Sequence, residues 1–487
     1  MLYQPGPVCS MKLLNWTLIF LHALLLMVAA GHALLYKRDP RAALGWMAVC
    51  ILFPLVGPIL YFLFGINRVH TRAKKLVRRA PFPIHADYER PEDEDLPFVA
   101  STNIPMEFKE IAAISDAVTR RPLVGCNQIK ILNNGEQAYP EMLDRIEDAK
   151  HSLFLATYLF ETNRTGRRFI EALAKAAHRG VDVRVLIDGV GELYSFPRAG
   201  TLLKKGGVRI ARFIPPRLFP PMLHINLRNH RKIMVADGCT GFIGGMNIGD
   251  RHLADVRSNP SRVIDLHFRL NGPVVAQIEQ IFLDDWGFVT GKRIKLKSTV
   301  NVDKGSAVCR AIVDGPNEDL GKLTTILIGA ITSARRRISI MTPYFLPSRE
   351  MISAMQTAAL RGVEVTVILP GKNNLPFVHW ATRNMLWELL QWGVRIYYQP
   401  PPFVHTKLFI VDDHYTQIGS ANMDSRSLRL NFELVIEVYD NAFSEALATH
   451  IEKNRKRSKE VFLKDVDARS LPIRTRDALA WLFSPYL

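Results

Sequence analysis

Apolar positions along this chain follow two regimes. Up to Gly65 they are nearly unbroken: Leu13–Tyr36 and Ala42–Gly65 each run 24 residues without Lys, Arg, Asp or Glu, enough to span a bilayer with some tilt. Pro54, Gly57 and Pro58 interrupt the second run, so a kink or a re-entrant piece stands beside a full span there. The small residues Ala29-Ala-Gly-His-Ala33 offer a cleavage site. The second apolar run follows so closely that an uncleaved transmembrane hairpin is the better reading. Beyond the hairpin, short apolar runs alternate with helical stretches. Ala149–Thr157 and Arg179–Ile187 read as strands flanking a helix at Phe169–Arg179. Ala334–Thr342 and Arg361–Leu369 read as strands flanking a helix at Met351–Arg361. That order predicts α/β units with a largely parallel sheet in each half.

The same segments align with one another. Ala149-Lys-His-Ser-Leu-Phe-Leu-Ala-Thr157 matches Ala334-Arg-Arg-Arg-Ile-Ser-Ile-Met-Thr342, and Arg179-Gly-Val-Asp-Val-Arg-Val-Leu-Ile187 matches Arg361-Gly-Val-Glu-Val-Thr-Val-Ile-Leu369. The strongest match is His230-Arg-Lys232-Ile-Met-Val-Ala-Asp237 with His405-Thr-Lys407-Leu-Phe-Ile-Val-Asp412. Gly244-Gly245-Met-Asn247 follows the first and Gly419-Ser420-Ala-Asn422 the second, each Asn 17 residues after its His. The chain is therefore a diverged internal repeat.

Spacing suggests the chemistry. On a strand, residues i and i+2 share a face, so His230 projects with Lys232 and His405 with Lys407. Two imidazoles and two ammonium groups repel a metal cation and attract an anion. Two lysines with Asn247 and Asn422 around one point form a phosphate cradle built on charge-assisted hydrogen bonds. Histidines on opposite sides of a phosphorus allow in-line displacement, one attacking and the other handling the leaving and incoming protons. The lysines then neutralise charge that Mg²⁺ meets elsewhere. A nucleophilic imidazole also needs an acceptor on its other nitrogen. Glu433, 28 residues after His405, and Asp265, 35 after His230, are the candidates; the bland alternative for each is a surface carboxylate.

Charge and composition add the setting. The formal net charge is +17, which suits an anionic partner, lipid surface or nucleic acid. Arg68, Arg72, Lys74, Lys75, Arg78 and Arg79 follow the second apolar run, against Lys37, Arg38 and Arg41 in the turn. The balance favours a cytoplasmic catalytic unit. A Pro-punctuated acidic stretch, with Glu89, Glu92, Asp93, Glu94 and Asp95, reads as a linker. The expected division is a hairpin over 1–80, a linker over 81–104, and repeated units over 105–295 and 305–487. Five cysteines show no metal spacing and no disulfide framework. Apolar loops at Phe213–Met222 and Tyr397–Phe403 either line an acyl-chain groove or shape the entrance as rigid loops. The apolar tail Ala478–Leu487 either lies on a membrane surface or docks on the core.

The paired H-x-K-x4-D motifs followed by G-G/S-x-N resemble the phospholipase D superfamily. That resemblance implies a two-lobed α/β fold with the active site at the interface of two repeated domains. It implies a site of His230, Lys232, Asn247, His405, Lys407 and Asn422, with Ser420 also at the phosphate and His230 as nucleophile. Asp237 and Asp412 complete the catalytic motifs, with a structural part bracing the loop after the strand. With the hairpin added, the chain resembles the bacterial cardiolipin synthases of this superfamily, multi-pass proteins of the inner membrane. The implied reaction joins two phosphatidylglycerol molecules into cardiolipin and releases glycerol through a phosphatidyl-histidine. No cofactor is implied, and the implied partners are phosphatidylglycerol and anionic membrane lipids, with no nucleic acid. Two other readings stay open. One is a membrane-anchored phosphodiesterase hydrolysing lipid or nucleic acid, although a hairpin would hold DNA needlessly near a bilayer. The other is a non-catalytic scaffold, for which intact His and Lys in both copies have no use.

Overall fold

The computed structural model describes residues 7–37, 40–65, 104–216, 226–292, 294, 305–315 and 321–484. Contacts within the chain divide it into Met1–Arg72 and Ala73–Leu487. Positions 81–103 of the expected 81–104 linker, Arg38, the basic residues Arg68 to Arg79 and loop positions 217–222 lie outside the described residues.

In the N-terminal unit the first apolar run forms one helix, Pro7–Tyr36. Its stretch Asn15–Tyr36 is the one helix among the described residues long and apolar enough to cross a membrane. The second run is broken. A helix over Pro40–Leu52 ends just before Pro54, and the chain resumes as Val56–Leu60 and a π turn over Tyr61–Gly65. Proline cannot continue the ladder, and Leu55 takes a left-handed conformation at φ 62°. Breaking a helix strands backbone groups that hydrocarbon cannot satisfy. Here the Leu55 N–H donates to His22 Nδ1 at 3.2 Å. His32 Nδ1 lies 2.7 Å from the Tyr61 hydroxyl. The two histidines inside the apolar runs thus fasten the broken segment to the continuous helix.

Among the described residues, the larger unit is built on one continuous sheet of 15 strands. The first half supplies β1 (Val124–Asn133), β2 (Ser152–Thr157), β3 (Asp182–Asp188), β4 (Arg209–Phe213), β5 (Ile233–Ala236), β6 (Thr240–Gly244), β7 (Val263–Ile264) and β8 (Leu266–Asn271). The second supplies β9 (Ala307–Asp314), β10 (Arg337–Met341), β11 (Glu364–Pro370), β12 (Arg395–Gln399), β13 (Phe403–Val404), β14 (Leu408–Val411), β15 (Tyr415–Gly419), β16 (Glu433–Tyr439) and β17 (Lys459–Val461). The order β12-β11-β10-β14-β15-β16-β9 meets its pseudo-symmetric copy, β1-β8-β6-β5-β2-β3-β4, at the β9–β1 junction. β17 adds an edge beside β12, while β7 and β13 pair separately.

The sheet is mixed, where a largely parallel one was expected. β2-β3-β4 and β10-β11-β12 run parallel. The motif strands β5 and β14 enter antiparallel to β2 and β10, and the chain then returns through hairpins into β6 and β15. Short hairpin returns impose antiparallel pairing. The helices cover both faces, so β2 is buried throughout. Leu153 and Leu155 face a core shared with the helices Asn134–Asp148 and Arg164–His178. Phe154, on the other face, stacks on Phe282 of the helix Val274–Thr290, with ring centroids 5.1 Å apart.

Between the halves sits a fully buried ion pair. Arg231 and Asp285 have no exposed side-chain surface, Asn229 Nδ2 donates to Asp285 at 3.0 Å, and Arg231 Nε donates to the Glu433 carbonyl at 3.1 Å. Removing one partner of such a pair strands a buried charge. Asp285→Ala should therefore cost about 3–5 kcal/mol of stability, read as a lowered denaturation midpoint. A midpoint within error of the parent would refute the coupling.

Candidate active site

The two histidines reach the site on extended segments just ahead of the strands that carry their motifs. Each strand begins only after the lysine, at Ile233 and at Leu408. The segments are extended because each pairs with the opposite half. The His230 N–H donates to the Phe432 carbonyl at 2.9 Å, and the His405 N–H to Ile264 at 2.7 Å. Asn229 bridges Phe432 in parallel, and β13, just before His405, pairs in parallel with β7.

The carboxylates follow the same crossing. Glu433 Oε1 lies 3.3 Å from His230 Nδ1, and Asp265 Oδ2 lies 2.9 Å from His405 Nδ1. Each histidine is thus backed by the candidate from the other repeat, which spacing within either repeat did not reveal. Both carboxylates are fully buried, while the imidazoles keep 22% and 17% of their side-chain surface accessible. With Nδ1 held from behind, Nε2 is the nitrogen left for an incoming group. Asn431 Nδ2 also lies 3.3 Å from His230 Nδ1.

Ser420 and Gly245 occupy matching positions beside these carboxylates. The Ser420 hydroxyl donates to Glu433 Oε2 at 2.6 Å and accepts the Leu434 N–H at 3.0 Å. It was expected at the phosphate; its hydroxyl instead holds the carboxylate behind His230. At Gly245 a Cβ would come within 2.4 Å of Asp265 Oδ2, so the missing side chain makes room for the shorter acid. The difference between G-G and G-S thus matches the difference between Asp and Glu.

Both lysines are buried, and each curls back to the carbonyl of its own histidine, Lys232 Nζ at 2.6 Å and Lys407 Nζ at 2.6 Å. Lys407 Nζ also stands 3.0 Å from His405 Nδ1. Asn247 Oδ1 accepts the Leu159 N–H at 3.1 Å, which leaves its amide N–H groups to donate. Asn422 is buried with Nδ2 on Ser427 Oγ at 3.0 Å and no protein partner for Oδ1. The motif aspartates point away from the imidazoles. Asp237 accepts the N–H groups of Lys150, His151 and Ser152 at 2.7–2.8 Å. Asp412 accepts those of Arg335, Arg336 and Arg337 at 2.8 Å. Each ties its motif strand to the start of the neighbouring antiparallel strand, β2 or β10. Bracing was expected on the loop after the motif strand; the carboxylates instead hold the segment leading into the neighbouring strand.

Sequence reasoning missed two aromatic walls. Tyr158 stands edge-on to His230 with ring centroids 4.5 Å apart, and Tyr344 edge-on to His405 at 6.2 Å. Tyr158 directly follows the aligned Thr157 and Tyr344 stands two after the aligned Thr342, so nearness to the repeat was the available signal and register within it was not. It also missed Asp188, which accepts the Asn229 N–H at 3.0 Å and pairs with Arg228 at 3.3 Å, steadying the approach to His230. Of the two expected apolar loops, Phe403 lies 6.0 Å from the His405 ring.

Burial dominates the electrostatics. It pushes the Lys232 ammonium down to about 8 and that of Lys407 to about 8. Burial also lowers His230, against the pull of Glu433. His405 is held well below the ordinary histidine value, by burial first and then by Lys407, Lys232 and His230. Burial raises Asp265, and Lys407 draws it back. Before substrate arrives, the result is a pair of neutral imidazoles beside two destabilised cations. An arriving phosphodiester relieves the cations, and an imidazole free of its proton is ready to attack.

The chain matches the family described as cardiolipin synthase, PLD-like domain, over residues 142–286 and 327–455. Residues 24–65 match the phospholipase D-nuclease N-terminal family. It is 31% identical to a cardiolipin synthase of Geobacillus thermodenitrificans, covering 93% of this chain and 90% of that protein. It is 31% identical to cardiolipin synthase A of Pseudomonas putida, over 95% and 96% of the two chains. In fold it is similar to the crystal structure of a phosphatidylserine synthase from Haemophilus influenzae. That similarity has a TM-score of 0.59 at 14% identity and covers 78% of this chain and all of the other.

The electrostatics predict a pH profile. Both lysines must be charged to hold a phosphate, and their values near 8 mean kcat/KM falls as pH rises through about 8. The acid limb lies below the ordinary histidine value of about 6.5, because burial depresses His230, the imidazole that must be free of its proton to attack. A profile flat from pH 7 to 10 would contradict the buried-lysine assignment.

Proposed function

The chain belongs to the cardiolipin synthase family with phospholipase D-like domains, and we propose that it joins two phosphatidylglycerol molecules into cardiolipin through a phosphatidyl-histidine. It is a membrane-associated phosphatidyltransferase acting on phospholipids. The observation that carries the reading is the crossed pair of dyads, His230 with Glu433 and His405 with Asp265, each with a lysine beside it. A binding module has no use for two imidazoles whose second nitrogens are both held.

In the proposed sequence, His230 Nε2 attacks the phosphorus of the first phosphatidylglycerol. His405 takes up a proton as the anionic phosphodiester enters the site, and it delivers that proton to the headgroup glycerol oxygen as the bond from phosphorus to that oxygen breaks. Glu433, itself held by Ser420, supports the cationic phosphatidyl-imidazole. A hydroxyl of a second phosphatidylglycerol then loses its proton to His405 and attacks the same phosphorus, restoring His230. Lys232, Lys407 and the amide groups of Asn247 and Asn422 meet the non-bridging oxygens, where charge develops. One phosphodiester replaces another, so no nucleotide is consumed. Asp237 and Asp412 act on the backbone alone.

The assigned units are a multi-pass inner-membrane hairpin within 1–80, a linker over 81–104, and two repeats over 105–295 and 305–487. The repeats face the cytoplasm, and nucleic acid is not a substrate.

Full-length protein in detergent, given phosphatidylglycerol alone with EDTA present, should form cardiolipin and glycerol in equal amounts, read by mass spectrometry. Phosphatidic acid in place of cardiolipin would make water the acceptor and the protein a phosphodiesterase. Abolition by EDTA with recovery on adding Mg²⁺ or Zn²⁺ would remove the lysines from their assigned part.

His230→Ala and His405→Ala should each lower turnover by about 10⁴-fold or more, with no further loss in the double variant. Acid-quenched His405→Asn should retain a phosphatidyl adduct on His230. An adduct mapped to His405 in the reciprocal variant would reverse the two assignments.

A further inference from the structure

The loop after β3 and the loop after β11 occupy corresponding positions in the two repeats, and both push apolar side chains into solvent. The first carries Leu193, Tyr194 and Phe196, the last with 96% of its surface exposed. The second carries Leu375 and leads into Phe377 on the first turn of the helix Pro376–Leu390, both also exposed. Monomeric proteins seldom place large rings in water at two related positions without a partner for them.

Both loops border the reactive histidines. Gly191 packs so closely on Tyr158 that a Cβ there would come within 1.7 Å of the Tyr158 carbonyl, and Tyr158 stands edge-on to His230. Asp188 accepts the N–H groups of Val190 and Gly191 at 2.9 and 3.1 Å, from the carboxylate that also steadies Asn229. In the second half, the Tyr344 hydroxyl donates to Asn374 at 2.8 Å and Asn373 donates to the Pro343 carbonyl at 2.9 Å. Tyr344 stands edge-on to His405.

The C-terminal helix Leu471–Trp481 enlarges the second lip. It packs on the helix Pro376–Leu390 and is pinned by buried Asp477, which pairs with Arg469 at 2.7 Å, Arg476 at 2.8 Å and Arg383 at 3.4 Å. Phe483 meets Phe377 with ring centroids 5.6 Å apart. Leu479, Leu482 and Phe483 nonetheless remain exposed. The tail is docked on the core and still presents an apolar face. The exposed charged residues within these three segments, Arg198, Lys372 and Arg474, are all basic.

We propose that these two lips are the surface on which the catalytic unit seats on an anionic lipid bilayer, flanking the histidines so that a headgroup enters the site without leaving the membrane plane. Exposed rings rimmed by basic side chains fit the acyl–headgroup boundary. The inference rests on a lipid substrate, as proposed above, and the tests separate the two.

In full-length protein reconstituted into phosphatidylglycerol-containing vesicles, the emission added by Phe196→Trp or Phe377→Trp, taken as the difference from the parent, should be blue-shifted and quenched by lipids brominated on the acyl chain. Water-like, unquenched emission at both positions overturns the proposal and favours a protein partner for these rings. This readout does not depend on turnover, so failure to make cardiolipin would sink the functional reading alone. In activity, Phe196→Ser/Phe377→Ser/Phe483→Ser should lose at least about tenfold in kcat/KM on vesicles. It should stay within about twofold of the parent on monomeric short-chain phosphatidylglycerol, and the triple Trp variant should keep vesicle activity. Equal loss on both substrates, or no loss on vesicles, counts against membrane seating.

Discussion

Neither reactive histidine is held by its own repeat. The backbone before His230 runs beside residues 430–432 of the second half, and that before His405 beside 263–264 of the first. Each imidazole then meets a carboxylate from across the interface. A half on its own would present its histidine on an unpaired strand with nothing behind Nδ1. The continuous sheet, the buried Arg231–Asp285 pair and the contact of Arg231 with the Glu433 carbonyl keep this crossing in register. Precision matters here because an ångström of misplacement in an in-line displacement costs orders of magnitude in rate.

Crossing also reconciles opposing demands on charge. A site that binds phosphodiesters needs cations, yet buried cations repel one another and depress their own pKa values. Two buried carboxylates at the back of the site offset this, while the open side stays positive. Lys232 and Lys407, both near 8, keep their charge at neutral pH and hold it weakly enough that an anion has much to offer. The motif aspartates are kept out of this balance, since backbone N–H donors occupy them at the far end of the strand.

The apolar parts of the chain divide by how their polar groups are satisfied. In the N-terminal unit, His22 and His32 serve the break at Pro54 through Leu55 and Tyr61, so imidazoles in an apolar run have a structural use there. In the catalytic unit the exposed rings lie on or beside loops fastened by buried Asp188 on one side and half-buried Tyr344 on the other. Fixed rings reach an interface at lower entropic cost than mobile ones.

The sequence by itself determined the repeat, the motif residues, the alternation of strands and helices, and two apolar segments of which the second is flawed by prolines. These are local properties: residue identity, and spacing within a turn or strand, settle them. Glu433 and Asp265 were also legible as candidates, because a histidine nucleophile needs an acceptor. Which acid serves which histidine was not, since the partners lie far apart in sequence, 140 residues for Asp265 and His405. Ser420 and Gly245 read as equivalent small residues until the sheet brought one onto Glu433 and the other against Asp265. The mixed sheet escaped a reading based on alternation, because strand direction depends on how hairpins fold back and leaves no period in the sequence. Pairing between distant segments is decided by packing the whole sheet at once, so tertiary structure alone could join the two halves into one site.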